Sequence, residues 1–148
     1  MAKVDVLIKK VRSEASLPRY ESEGAAGLDL AACLDGPLTV DPGCRAMVPT
    51  GLAVALPSHL VALVFARSGL AARHGLALAN GVGVVDSDYR GEVICAMVNL
   101  ADGPYTIEPG DRIAQMVFVP VEQARLVLTD DLPASGRGEG GFGSTGRR

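Results

Sequence analysis

Tryptophan is missing from this 148-residue chain and phenylalanine occurs only three times, so the core has to be built from Val, Leu, Ile and Ala. Such side chains suit close-packed strands better than aromatic-rich packing. Cysteine is scarce too: Cys33, Cys44 and Cys95 are widely spaced, form no CxxC, and are accompanied by only His59 and His74. That set argues against structural zinc and fits a reduced, cytoplasmic setting. Positive charge is not in excess. A formal charge of −3 and a pI near 5.3 exclude a broad electrostatic footprint for nucleic acid or an anionic membrane, so any anion must be met locally. No long apolar run is uninterrupted either. "GLAVALPSHLVALVFA" is broken by Pro57, Ser58 and His59, and "MAKVDVLIKK" lacks the plan of a signal peptide, so no membrane partner is expected.

Present in their place are 48% hydrophobic residues on a chain long enough for one domain. An apolar surplus of this size implies burial between subunits, hence a homo-oligomer. Short β-rich runs recur between Pro, Gly, Asp and Asn clusters: "VDVLIKKV", "RAMVPTGLAVAL", "LVALVFA", "EVICAMVNL", "RIAQMVFVPV" and "ARLVLTD". The pattern predicts an all-β sandwich or barrel. "TVDPGCR" and "TIEPGDR" each place Pro then Gly as a type II turn requires, either as equivalent corners of a doubled fold or as two ordinary Pro-Gly turns. The helical candidate is "SGLAARHGLAL", with Ser68 as its N-cap, Gly75 to end it, and His74 as a helix-end residue.

Chemistry-bearing residues fall in five places. Arg67 beside Ser68 at a helix start is a candidate anion site. "NGVGVVDSDYRGEV", from Asn80 to Val93, reads as an exposed hairpin or bent strand pair with Asp86 and Asp88 at its tip, or as a plain solvated turn. Asp29, alone among apolar residues in "AAGLDLAA", needs a partner or a cation unless it caps a loop. Gln115 in "GDRIAQMVF" must find either a backbone group or a ligand. The tail "RGEGGFGSTGRR" fits neither the P-loop nor the dinucleotide fingerprint. It is either a solvated tail or a lid, with Arg137, Phe142, Ser144 and Thr145 among glycines.

"AAGLDLAA", "ARSGLA", "GVGVVDSDYRGEV", "GDRIAQMVF" and "RGEGGFGSTG" together resemble, in order and spacing, the five motifs of the homotrimeric dUTP pyrophosphatase family, from about Ala25 to Gly146. The resemblance implies an all-β fold, a distorted jelly-roll or β-barrel over residues 1–131 with one short helix, and a flexible Gly-rich lid over 132–148. It implies a cytoplasmic homotrimer with shared active sites that hydrolyses dUTP to dUMP and pyrophosphate with Mg²⁺. Such an activity limits uracil in DNA and supplies dUMP for thymidylate synthesis. By the same resemblance Asp86 is the catalytic base, and Asp29 helps hold, through water, a metal bound mainly by the triphosphate. Arg67, Ser68, Gly69 and Gln115 match phosphate contacts, while Asn80, Gly83, Val84, Val85 and Ile94 match the uracil reader. Tyr89 matches the ring beneath the deoxyribose, and Phe142 the cover over uracil. Arg137, Gly143, Ser144 and Thr145 match the γ-phosphate clasp. The related dCTP deaminases would need a second carboxylate for the cytosine ring, and a mere nucleotide sensor would need no base.

Overall fold

Gly43 and Gly110 adopt φ values of 73° and 86° in the computed structural model, which describes residues 3–143. Only glycine takes that conformation at little cost, and it makes each Pro-Gly corner a type II turn. The Cys44 amide donates to the Asp41 carbonyl at 3.0 Å, and the Asp111 amide to Glu108 at 3.1 Å. The strands entering these corners, β3 (Leu38–Val40) and β10 (Tyr105–Ile107), pair antiparallel with Thr39 opposite Thr106 and their hydroxyls 2.8 Å apart. The two similar sequences therefore lie across one ladder from each other.

The remaining strands pair antiparallel in three groups. One sheet has the order β2 (Leu28–Ala31), β11 (Arg112–Pro120), β6 (Leu60–Ala66), β8 (Gly83–Val85). A second has β4 (Arg45–Pro49), β9 (Ile94–Asn99), β7 (Leu76–Leu78). A separate ladder joins β1 (Leu7–Lys10) to β5 (Leu52–Ala55). Inward residues of these sheets, including Leu30, Ala62, Val64 and Met116 against Val48, Leu76, Cys95 and Met97, form one aliphatic core. At roughly 1.5–3 kcal/mol for each large side chain buried, this core is the main force holding the sheets together. Asn99 is buried but satisfied: its amide donates to the Val40 and Gly103 carbonyls, and its oxygen accepts from the Ala101 amide. The architecture is all-β and of the jelly-roll type.

The helix α1 (Ser68–His74) is as short as its sequence predicts, but it starts differently. Arg67, in extended conformation, is the N-cap and Ser68 is the first helical residue, with no side-chain cap bond. Extended backbone at Arg67 carries the chain straight out of β6, which moves the cap back by one residue. Arg73 and His74 occupy the last turn, where cations complement the helix dipole, and Gly75 closes it at φ 66°. A Cβ on Gly75 would lie 2.6 Å from the Ala101 nitrogen. Gly75→Ala is thus expected to cost about 2–3 kcal/mol, lowering the thermal midpoint by about 5–10 °C, as a melting curve followed by circular dichroism would reveal.

Three expectations are corrected. "RAMVPTGLAVAL" is two strands rather than one, divided at Thr50 and Gly51, because Gly51 turns at φ 71°. "ARLVLTD" forms no strand: among the described residues nothing pairs with it, and Leu126 and Leu128 are 92% and 99% exposed. The Asn80–Val93 segment is not a hairpin, since β8 pairs with β6 whereas β9 pairs with β4 and β7. Among the described residues no helix is long and apolar enough to cross a membrane.

Candidate active site

Strand β11 carries a bulge between Arg112, opposite Ala31, and Ala114, opposite Leu30. Two consecutive residues, Ile113 and Ala114, are consequently buried, and the alternation of faces shifts by one. Arg112 thereby shares a face with Gln115, which stands opposite both Asp29 on β2 and Phe65 on β6. Arg112 Nη1 lies 3.0 Å from Asp29 Oδ2 and 3.4 Å from Glu21 Oε2. Arg67 Nε lies 3.3 Å from Asp29 Oδ1, while its Nη1 donates to the Arg112 carbonyl at 3.1 Å. Asp29 has therefore found its partners in two guanidiniums. Gln115 Nε2 donates to the Ala66 carbonyl at 3.1 Å, the backbone alternative of its two predicted pairings. Room for it comes from Gly27, where a Cβ would approach Gln115 Oε1 to 3.0 Å. Ser68 and Gly69 are exposed beside this cluster at the helix start.

A second assembly lines an open groove of about 380 Å³ between β8 and β9. Asn80, Gly83, Val84, Val85, Asp86, Tyr89 and Ile94 all line it, together with Met47, Val64, Leu78 and Glu92. The far edge of β8 has no strand partner among the described residues, so that edge leaves backbone donors and acceptors unpaired. Asp86 begins a turn closed by the Tyr89 amide donating to the Asp86 carbonyl at 3.2 Å, and its carboxylate is exposed. Asp86 and Asp88 therefore occupy a turn rather than one face of a strand. Cys95 also lines the groove, but burial pushes its thiol up to about 12, so it offers no thiolate nucleophile at neutral pH.

These two assemblies do not meet within one chain. Val85 stands opposite Ala62, whereas Arg67 follows Ala66, a separation of roughly 17 Å along β6 at the usual strand rise. The described part of the tail joins neither. Arg137 Nε donates to the Gly140 carbonyl at 2.6 Å within its own turn, and Phe142 is fully exposed, with Gly143 following at φ 90°. Ser144 and Thr145 lie outside the described residues.

Sequence reasoning passed over Arg112, although it stands three residues before Gln115, because only the bulge turns it toward Asp29. It also passed over Glu92, whose carboxylate is held by Arg12 at 2.8 Å and by the Gly51 amide at 2.8 Å. The Arg12 hydrogen bond holds the Glu92 carboxyl below the usual carboxylate range. Among the described residues no group of three or more His, Cys, Asp or Glu side chains could hold a metal ion. Each Asp29 oxygen meets one guanidinium, which leaves about half of the carboxylate's four acceptor positions open to a water, one carried by a magnesium ion included.

The dUTPase family model matches residues 13–146 of the chain. Over 149 residues the chain is 55% identical to a protein of Desulfitobacterium hafniense (strain DSM 10664 / DCB-2) named deoxyuridine 5'-triphosphate nucleotidohydrolase, covering 99% of each. A protein of the same name from Enterobacter sp. (strain 638) is 51% identical over 152 residues, with 100% of this chain and 99% of that one covered. In three dimensions the chain matches a Staphylococcus bacteriophage 80alpha dUTPase with dUPNHPP at a TM-score of 0.90 and 27% identity, over 97% of this chain and 99% of that one.

Proposed function

Because the chain belongs to the dUTPase family and is a hydrolase, we propose that it hydrolyses dUTP to dUMP and pyrophosphate with Mg²⁺ in a homotrimer of shared sites. The observation that carries this reading is the groove in which an unpaired β-edge, the Asp86 carboxylate and the Tyr89 ring stand together. Unpaired backbone groups of Gly83–Val85 and the Asn80 amide can read the polar edge of uracil, with Ile94 on the opposite wall. Tyr89 closes the sugar position against a 2′-hydroxyl. Asp86 takes a proton from water as its oxygen attacks the α-phosphorus, and the bond to the departing pyrophosphate breaks. Arg67, Ser68, Gly69 and Gln115 hold the phosphates, while Asp29 orients Arg67 and, through water, helps hold the magnesium. The metal supplies charge neutralisation to the triphosphate. Residues 132–148 act as the lid, Phe142 covering the base and Arg137, Gly143, Ser144 and Thr145 clasping the γ-phosphate. In the cell this activity would be cytoplasmic, limiting uracil in DNA and supplying dUMP for thymidylate synthesis.

Self-association is supported by two features. The Asp86 groove and the Arg67 cluster stand roughly 17 Å apart along β6 in one chain, and among the described residues the apolar stretch around Leu126 and Leu128 is left uncovered. The test of the reaction is pyrophosphate release from dUTP, dCTP, dTTP and UTP, with Mg²⁺ and with chelator. Release from dUTP alone, lost on chelation, is expected, whereas ammonia release from dCTP would sink the assignment. Sharing of sites has its own test. Asp86→Asn and Arg67→Ala are each expected to be inactive. Co-refolded in equal amounts, they should regain roughly a quarter of wild-type activity, because random assembly reunites intact halves in that share of sites. A mixture as dead as its components would place both residues in one subunit's site.

A further inference from the structure

Tyr89 is held by groups outside its own turn. Its hydroxyl donates to the Glu92 carbonyl at 2.9 Å, so the phenol oxygen is already engaged within the chain. Its ring lies over Gly91 so closely that a Cβ there would come within 2.6 Å of the ring carbon Cζ and overlap the hydroxyl. The Glu92 carboxylate in turn accepts three hydrogen bonds: Arg12 Nε at 2.8 Å, Arg12 Nη2 at 3.2 Å and the Gly51 amide at 2.8 Å. Gly51 is itself held in place: its carbonyl accepts from the Val11 amide at 2.8 Å, and a Cβ on it would lie 2.6 Å from the Ala15 methyl. One residue further, Val93 is locked by Leu52 and by the buried Thr50 hydroxyl. The far limb of the Asp86 turn is therefore bolted to the N-terminal segment through Glu92.

We propose that Glu92, clamped between Arg12 and the Gly51 amide, acts with Gly91 as the positioning element that fixes the Tyr89 ring and thereby sets discrimination against a 2′-hydroxyl. The inference rests on the dUTP reading above. A bidentate guanidinium–carboxylate pair constrains orientation as well as distance, which is what a steric wall requires. Discrimination by exclusion depends on a wall that does not yield to the extra oxygen. Glu92 lines the same groove, and the role assigned to it here is exerted through Tyr89, whose hydroxyl its carbonyl holds.

The test compares wild type with Glu92→Gln, Arg12→Gln and Gly91→Ala, each first shown to be folded by its thermal transition. Two quantities are read: kcat/KM for dUTP and for UTP, and the ring resonances of Tyr89, one of three tyrosines and hence readily assigned by NMR. The Tyr89 resonances are expected to shift in all three variants. The dUTP to UTP preference should fall about tenfold in Glu92→Gln, on the order of one lost charge-assisted bond, and should fall as well in Gly91→Ala, where the added methyl displaces the ring, with KM for dUTP rising more than kcat falls. Folded variants with unmoved resonances would overturn the clamp, and shifted resonances with an unchanged preference would overturn its role in discrimination. Should wild type release no pyrophosphate from dUTP, the functional reading would fall, while the resonances would still decide whether Glu92 positions the ring.

Discussion

Asp86→Asn should leave the protein folded and able to bind dUTP but nearly unable to cleave it, with kcat lowered by about 10²–10⁴-fold, the range spanned by loss of a general base. The substitution is clean because the carboxylate is exposed and the turn is closed by the Asp86 carbonyl, which asparagine retains. Water is a poor nucleophile, and an amide cannot accept its proton. KM should change far less than kcat, since Tyr89 and the β8 edge that shape the groove are untouched. Steady-state pyrophosphate release together with calorimetric binding of a non-hydrolysable analogue separates the two effects. A variant with wild-type kcat would remove Asp86 from the mechanism.

Deletion of residues 136–148 has the other large expected effect. Phe142 is fully exposed and, among the described residues, Arg137 bonds only within its own turn, so removing them costs no core packing. The thermal midpoint should stay within a couple of degrees, roughly, because exposed segments contribute little to stability. Turnover should nevertheless fall on the order of 10²-fold, the scale on which poor positioning or an unclosed lid is felt. Closing the lid has a definite energetic requirement. Ordering about ten residues costs on the order of 10 kcal/mol of backbone entropy, and stacking one ring on a base returns about 1–3. Charge-assisted bonds at about 1.5–3 kcal/mol each, from Arg137, Ser144, Thr145 and glycine amides to phosphate, have to supply the rest. A triphosphate should therefore close the lid where a nucleoside would not. Protection of the tail from protease by the dUTP analogue, but not by deoxyuridine, would show it. Full activity without the tail would end the lid reading.

The local features were legible from sequence because local backbone sterics decide them. Gly43, Gly110 and Gly75 each sit where φ must be positive, and in each case the neighbouring residues already marked a turn or a helix end. The short β-rich runs between turn clusters marked an all-β fold in the same way, and the lack of tryptophan left the core to Val, Leu, Ile and Ala. The functional motifs could be read as strings, but their partners could not. Ser68 gave its capping place to Arg67 because β6 feeds the helix directly, a fact about how the strand ends in space.

What the sequence determined by itself was the material of the core, the corners and the residues with chemical potential. Only the tertiary structure decided how those residues meet. The bulge at Ile113 brings Arg112 to Asp29, β8 chooses β6 over β9, and Glu92 reaches back 80 residues to Arg12. These are pairings between distant segments, set by which strands share a ladder and in what register. A one-residue shift of register sends a side chain to the opposite face, so no local pattern could have fixed them.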